Sequence, residues 1–385
     1  MKIFLPLCLS ATLSMLFASC ASVPVSLSPT QLLHDELFAP STTRIDADDI
    51  FKASDAMKHY LQNDIAVQLK VKGLQRGLID ALNNQHQLKL DYDGAMTRNA
   101  AQTFADRAGN CLSLVIMTAA LARELGMSVQ FQSVFVDETW SRNGGIHFTS
   151  GHVNLVVGRA YRDIKNHYDD NVHITIDFVE PQANRHRRAR PIRRETVSAM
   201  FMNNRSAEAL ADGRVSEAYW WVREAIRQDP GFLSAYNTLG VIYRRNGNRA
   251  EAEQALTYAM ARDPANILLM SNLVMVFDDA GRVAESKALR EKIEQKRPFA
   301  PFHFFTLGTE AMQAGDFKTA RDMFTRELAR DRYNHEFHFW LSAALARLGA
   351  LAESKRHLSL AIEFSITRRE RDIYAAKLDQ IKAVN

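Results

Sequence analysis

The spacing of apolar positions changes character several times along the chain. Residues 3–17 are mostly apolar behind Lys2, and residues 21–45 turn Ser-, Pro- and Thr-rich around one short apolar patch. A broken helical spacing runs from about Asp46 to Asn84, and mixed structure follows as far as Asp177. Cys111 opens a strong helical stretch to Leu125, which Gly126 ends in the usual manner of a helix C-terminus. Ser128–Val136 then reads as a strand, residues 137–151 as a polar loop, and two further segments alternate with period two. In His152–Val157, Val153, Leu155 and Val157 share one face, and His152, Asn154 and Val156 the other. In Val172–Phe178, His173, Thr175 and Asp177 lie on the polar face, so an antiparallel pairing brings Asp177 beside His152. From about Met200 the pattern is helical throughout, with Gly and Pro punctuation. An α+β unit followed by an all-α array is the predicted fold class.

The punctuation is periodic. Gly213, Gly247, Gly281, Gly315 and Gly349 are spaced 34 residues apart, and Pro230, Pro264 and Pro298 share the period, as do Leu239, Leu273, Leu307 and Leu341. A 34-residue period is the signature of tetratricopeptide repeats. The copy from Leu233 to Asn266 resembles that family closely: Tyr236, Leu239, Gly240 and Tyr243 fall on a first helix, Ala252 and Ala259 on a second, and Pro264 at its end. Small residues at Gly240 and Ala252 let the two helices approach. Four to five repeats are expected over residues 200–372, forming a separable unit with a tail at 373–385. Such arrays present a concave groove to a protein partner, and Asn237, Arg244 and Asn272 fall where groove residues belong.

The N-terminus changes the cysteine count. Lys2, the apolar stretch and the small residues before Cys20 read as an export signal over residues 1–19. Leu16–Cys20 resembles the lipobox of bacterial lipoproteins. That resemblance implies acylation of Cys20, attachment to a membrane through the N-terminal lipid, and a periplasmic location. With Ala21 following where inner-membrane lipoproteins commonly carry Asp, it favours the outer membrane of a Gram-negative bacterium. Residues 20–45 are then expected to be a tether. Of Cys8, Cys20 and Cys111, only Cys111 would remain as a thiol, so no intramolecular disulfide could form. A thiol at a helix N-terminus meets unpaired backbone donors and the positive end of the helix dipole, both of which favour thiolate.

The segments ending at Gly109-Asn110-Cys111, Gly151-His152-Val153-Asn154 and Ile176-Asp177-Phe178 together resemble the transglutaminase-like superfamily, a relative of papain-type folds. There a helix-capping cysteine packs against a sheet that carries histidine and aspartate in the same chain order. The resemblance implies a transglutaminase-like domain over residues 46–184, with Cys111 as nucleophile, His152 as proton shuttle and Asp177 as the group that orients the imidazole. It further implies an amidase, peptidase or acyl transferase acting on a peptide or protein amide. Asn110, Trp140 and Asn154 are candidates for lining the site. Many members carry Asp before the cysteine where this chain has Asn110, which leaves open an inactive adaptor that assembles an envelope complex through its repeat groove.

Composition narrows the rest only slightly. At 46% hydrophobic and 24% charged the chain is globular, and its net charge of +4 hides one basic run at residues 185–194, inside an expected linker at 185–199. Behind an export signal that run points away from nucleic acid. No histidine pair has a recognised metal spacing and no second cysteine is at hand, so neither a metal nor another cofactor is expected.

Overall fold

The computed structural model describes residues 28–83, 88, 90–94, 96–134, 140–143, 146–149, 152–160, 173–178, 189–296, 299, 302–365 and 368–383. The leader, Cys20 and residues 21–27 lie outside the described residues. Short helices come first: α1 (Ala47–Ile50), α2 (Asp55–His59), a π turn at Tyr60–Asp64, α3 (Ala66–Lys72) and α4 (Leu74–Asn83). Next come β1 (Asp91–Tyr92), α5 (Ala100–Asp106), β2 (Ala108–Gly109) and the central helix α6 (Cys111–Glu124). Strands β3 (Met127–Val134), β4 (Trp140–Asn143), β5 (Ile146–Thr149), β6 (His152–Ala160), β7 (Ile174–Ile176) and β8 (Ala189–Ile192) follow.

Four strands make an antiparallel sheet in the order β7-β6-β3-β8, and α6 packs on β3 and β6. Every residue of α6 from Leu112 to Ala122 is buried, so this helix is walled in on all sides. A helix that is apolar all round belongs in a core, and here it carries Cys111 on its first turn. β8 pairs with β3 through Phe131 and Ile192, so residues 189–192 form an edge strand rather than the expected linker.

Five antiparallel helix hairpins make the array: α7 (Arg194–Ala211) with α8 (Val215–Gln228), α9 (Leu233–Arg245) with α10 (Arg249–Met260), α11 (Ile267–Asp279) with α12 (Val283–Lys296), α13 (His303–Gln313) with α14 (Phe317–Arg330), and α15 (His335–Arg347) with α16 (Leu351–Glu363). A final helix, α17 (Arg368–Ala383), packs on α16 and buries Tyr374, so the expected tail is a capping helix. The five periodic glycines all sit between the helices of a hairpin with φ between 70° and 89°, a left-handed conformation that side chains resist. At Gly240 a Cβ would lie 2.5 Å from Leu256 Cγ, so the close approach read from the repeat is real. Leu239, Leu273 and Leu341 are buried as their shared period implies, but Leu307 is 38% exposed.

Two relations were not legible in the residue pattern. The first is continuity: one apolar cluster runs from Leu32 through α6 and the sheet to Leu289 on α12, so the expected boundary at 185–199 falls inside a continuous core. A second cluster gathers Phe302 to Leu345, and a third joins Leu358, Ala361 and Tyr374. The second is a strap. Residues 28–39, expected as part of a tether, form two 3-10 turns, Pro29–Leu32 and Asp35–Leu37, laid against α8, α9 and α10. Phe38 stacks on Tyr219 with centroids 4.0 Å apart, and Asp35 accepts from the Tyr219 hydroxyl at 2.6 Å and Arg223 Nε at 2.8 Å. The Tyr243 hydroxyl donates to the Leu32 carbonyl at 2.8 Å and accepts the His34 amide at 3.0 Å. Buried hydroxyls need partners, and the strap supplies them for both tyrosines.

Candidate active site

Cys111 owes its position to the two residues before it. Gly109 is buried in β2, where a Cβ would stand 2.7 Å from Ser113 Cβ and 3.2 Å from Thr103 Cγ2, so only glycine lets the strand run this close to α6. Asn110 is the N-cap: its Oδ1 accepts from the Ser113 amide and the Ser113 hydroxyl, each at 2.9 Å. Its Nδ2 donates to Thr97 Oγ1, also at 2.9 Å. An aspartate here could cap the helix but could not make that donation. It would also set a negative charge next to the thiol. Asn110 is therefore a residue of the helix start rather than of an open cavity.

His152 stands at the first position of β6, opposite Val134, and is 6% exposed. Leu155 pairs with Ile176, and β7 ends there, so Asp177 follows directly on the strand beside β6. Asp177 Oδ1 lies 2.6 Å from His152 Nε2. Burial opposes a charged imidazole. The hydrogen bond to Asp177, the nearby Cys111 and the charges of both outweigh it, and the His152 pKa rises from 6.5 to about 9. His152 is thus bonded to Asp177 and within electrostatic reach of Cys111.

Tyr92 completes the group. Its hydroxyl lies 3.5 Å from Cys111 Sγ. Burial first, then the charge and hydrogen bond of Cys111, hold its phenol well above its usual 10, so it stays a neutral donor. Residue spacing gave no sign of Tyr92, which sits on a two-residue strand and reaches Cys111 only because Tyr92 pairs with Gly109 across β1 and β2.

The other candidates differ. Asn154 is 5% exposed opposite Gln132, and its Oδ1 has no hydrogen-bond partner among the described residues. Trp140 begins β4, but its side chain lies outside the described residues. Asn237 and Asn272 join α9 to α11 through a 2.7 Å hydrogen bond, and Arg244 pairs with Asp279 across the same two helices at 2.6 Å. These three form a polar seam between the first helices of successive hairpins. No group of three or more metal-ligating side chains occurs among the described residues, and no helix there is long and apolar enough to cross a membrane.

Residues 305–361 match a family model described as tetratricopeptide repeat. The array is built of tetratricopeptide repeats. Among curated proteins, the cellulose synthase operon protein C of Pseudomonas fluorescens is 28% identical over 153 residues, which is 38% of this chain and 12% of that protein. Among solved structures, the chain is similar to the Cut9–Hcn1 hetero-tetramer of APC/C, 18% identical over 48% of this chain and 37% of that one, with a TM-score of 0.28. Another is Pseudomonas aeruginosa PilF, 17% identical over 48% of this chain and 91% of that one, with a TM-score of 0.26.

Proposed function

We propose that the chain is an envelope-anchored, transglutaminase-like cysteine enzyme of the amidase, peptidase or acyl-transferase class, whose repeats hold a protein partner. The observation that carries this reading is the His152–Asp177 hydrogen bond beside Cys111, with the imidazole pKa raised to about 9 by both. Cys111 Sγ, its proton already passed to His152, attacks the carbonyl carbon of an amide. The carbonyl oxygen becomes the oxyanion, for which the Cys111 amide and the Tyr92 hydroxyl are the nearby donors. His152 returns the proton to the leaving amine as the C–N bond breaks, and an acyl thioester remains. Water or a second amine then releases it, which separates hydrolysis from transfer. Asp177 holds Nε2, which leaves the other ring nitrogen for the proton that passes between sulfur and leaving amine.

A second reading, an adaptor whose site is silent, draws support from the repeats and from likeness to a protein of a cellulose synthase operon. The two separate by chemistry. The chain is incubated with a mixed peptide pool and a fluorescent monoamine, and products are read by mass spectrometry beside Cys111→Ala. The enzyme reading expects new termini, deamidated side chains or amine adducts that vanish in Cys111→Ala. A pool unchanged by either protein leaves the adaptor.

A further inference from the structure

Behind the nucleophile helix a line of hydrogen bonds leads into the repeat array. Asn110, whose Oδ1 caps α6, donates from Nδ2 to the Thr97 hydroxyl at 2.9 Å. Thr97 is 2% exposed, and its amide donates to Glu208 Oε1 at 2.7 Å. Glu208 belongs to α7, the first helix of the array, and its other oxygen accepts from Arg205 Nη1 at 2.8 Å. Next to Thr97, the Arg98 amide donates to Ser113 Oγ at 2.8 Å, and that hydroxyl donates in turn to Asn110 Oδ1.

The directions leave little freedom. The Asn110 amide must present oxygen to Ser113 and nitrogen to Thr97. Thr97 therefore accepts from Asn110 with its hydroxyl and donates to Glu208 with its amide. A carboxylate at 208 accepts from Thr97 with one oxygen and from Arg205 with the other, whereas an amide there puts a donor where an acceptor is needed. A network satisfied at every member fixes one geometry, and removing one member loosens the rest. Cys111 follows Asn110 directly, so the loop that Glu208 holds is the loop that aims the thiol.

We propose that Glu208 is a positioning residue for the Cys111 site: the first repeat helix sets the orientation of the nucleophile through Thr97 and Asn110, so that array and cysteine site work as one unit. This rests on the reading of Cys111 and His152 as a reactive pair. It assigns α7 a part in the chemistry beyond recruitment, and it gives a reason for the core that runs unbroken from α6 into the array.

The test measures alkylation of the Cys111 peptide by iodoacetamide between pH 5 and 9, by mass spectrometry on the folded full chain. Glu208→Gln and Thr97→Val should each slow the reaction at pH 6 by about tenfold or more, since small misplacements of a reacting group carry penalties of that order. Thr97→Ser, which keeps the hydroxyl, should restore the original rate. A purely structural role would lower the melting temperature but leave the rate and pH profile of folded molecules unchanged. That outcome, with His152→Ala still slowed, overturns the inference and spares the reactive pair. Equal profiles for the unaltered chain and His152→Ala would instead overturn the pair itself. If Glu208→Gln does not fold, the Thr97→Val and Thr97→Ser pair decides the matter.

Discussion

The Tyr92 hydroxyl lies 3.5 Å from the sulfur of Cys111. One neutral phenol thus touches the group that would attack a substrate carbonyl. Removing it tests whether it supports the sulfur. Tyr92→Phe should slow alkylation of Cys111 at pH 6 by about tenfold, since a hydrogen bond to a charged group contributes ~1.5 kcal/mol or more. A faster reaction would show instead that the hydroxyl merely shields the thiol.

Stability should fall on the alkaline side. The folded His152 pKa, about 9, stands above its ordinary 6.5, so the folded state holds this proton more tightly than the unfolded chain does. The resulting stability is complete below about pH 6.5 and is lost as pH climbs through about 9. Its upper size is ~3 kcal/mol, at about 1.4 kcal/mol for each pH unit. Urea unfolding at pH 6 and pH 9.5 should show the drop in the unaltered chain and a much smaller one in His152→Ala. Equal drops in both proteins would place the cause elsewhere.

The strap should matter to the array. Phe38 is 7% exposed against Tyr219, and Asp35 pairs with Arg223 beneath it. Phe38→Ala should destabilise the fold by up to ~3 kcal/mol, capped by the free energy of releasing residues 28–39 alone. Hydrogen exchange should then speed up at the His34 and Ala39 amides, which donate to Tyr243 and Ser216. Unchanged exchange there would mean that the strap contributes nothing.

Cys20 should carry lipid. Mass spectrometry of the mature N-terminus is expected to find an acylated cysteine at that position, with Cys8 absent. A retained leader, or an unmodified residue after Cys20, would end the lipoprotein reading.

The repeats were the most legible part of this chain, because a left-handed turn every 34 residues demands glycine and leaves a mark at fixed intervals. The alternation around His152 and Asp177 was legible for a similar reason: a two-residue period sorts side chains by face. Tyr92, Thr97 and Glu208 left no mark, since their contacts join positions 19 and 111 residues apart, and no local period records a contact of that range. The strap misled because a Ser/Pro-rich stretch usually stays in solvent. The apolar pairs Leu32–Leu33 and Leu37–Phe38, set in that polar stretch, were the hint that it lies on a surface. A cut at about Phe201 would fall inside α7 and leave the array without Thr97 and the strap.

The docked strap also acts as a ruler. With its first turn fixed at Pro29 against the array, an acylated Cys20 would have only residues 21–28 as leash. A fully extended chain of that length reaches no more than ~30 Å. The repeats would then ride close over the lipid surface, swivelling about a short pivot instead of roaming the periplasm. Any partner taken up by the groove would have to present itself within that thin layer, which suits a protein embedded in the same membrane better than one diffusing freely.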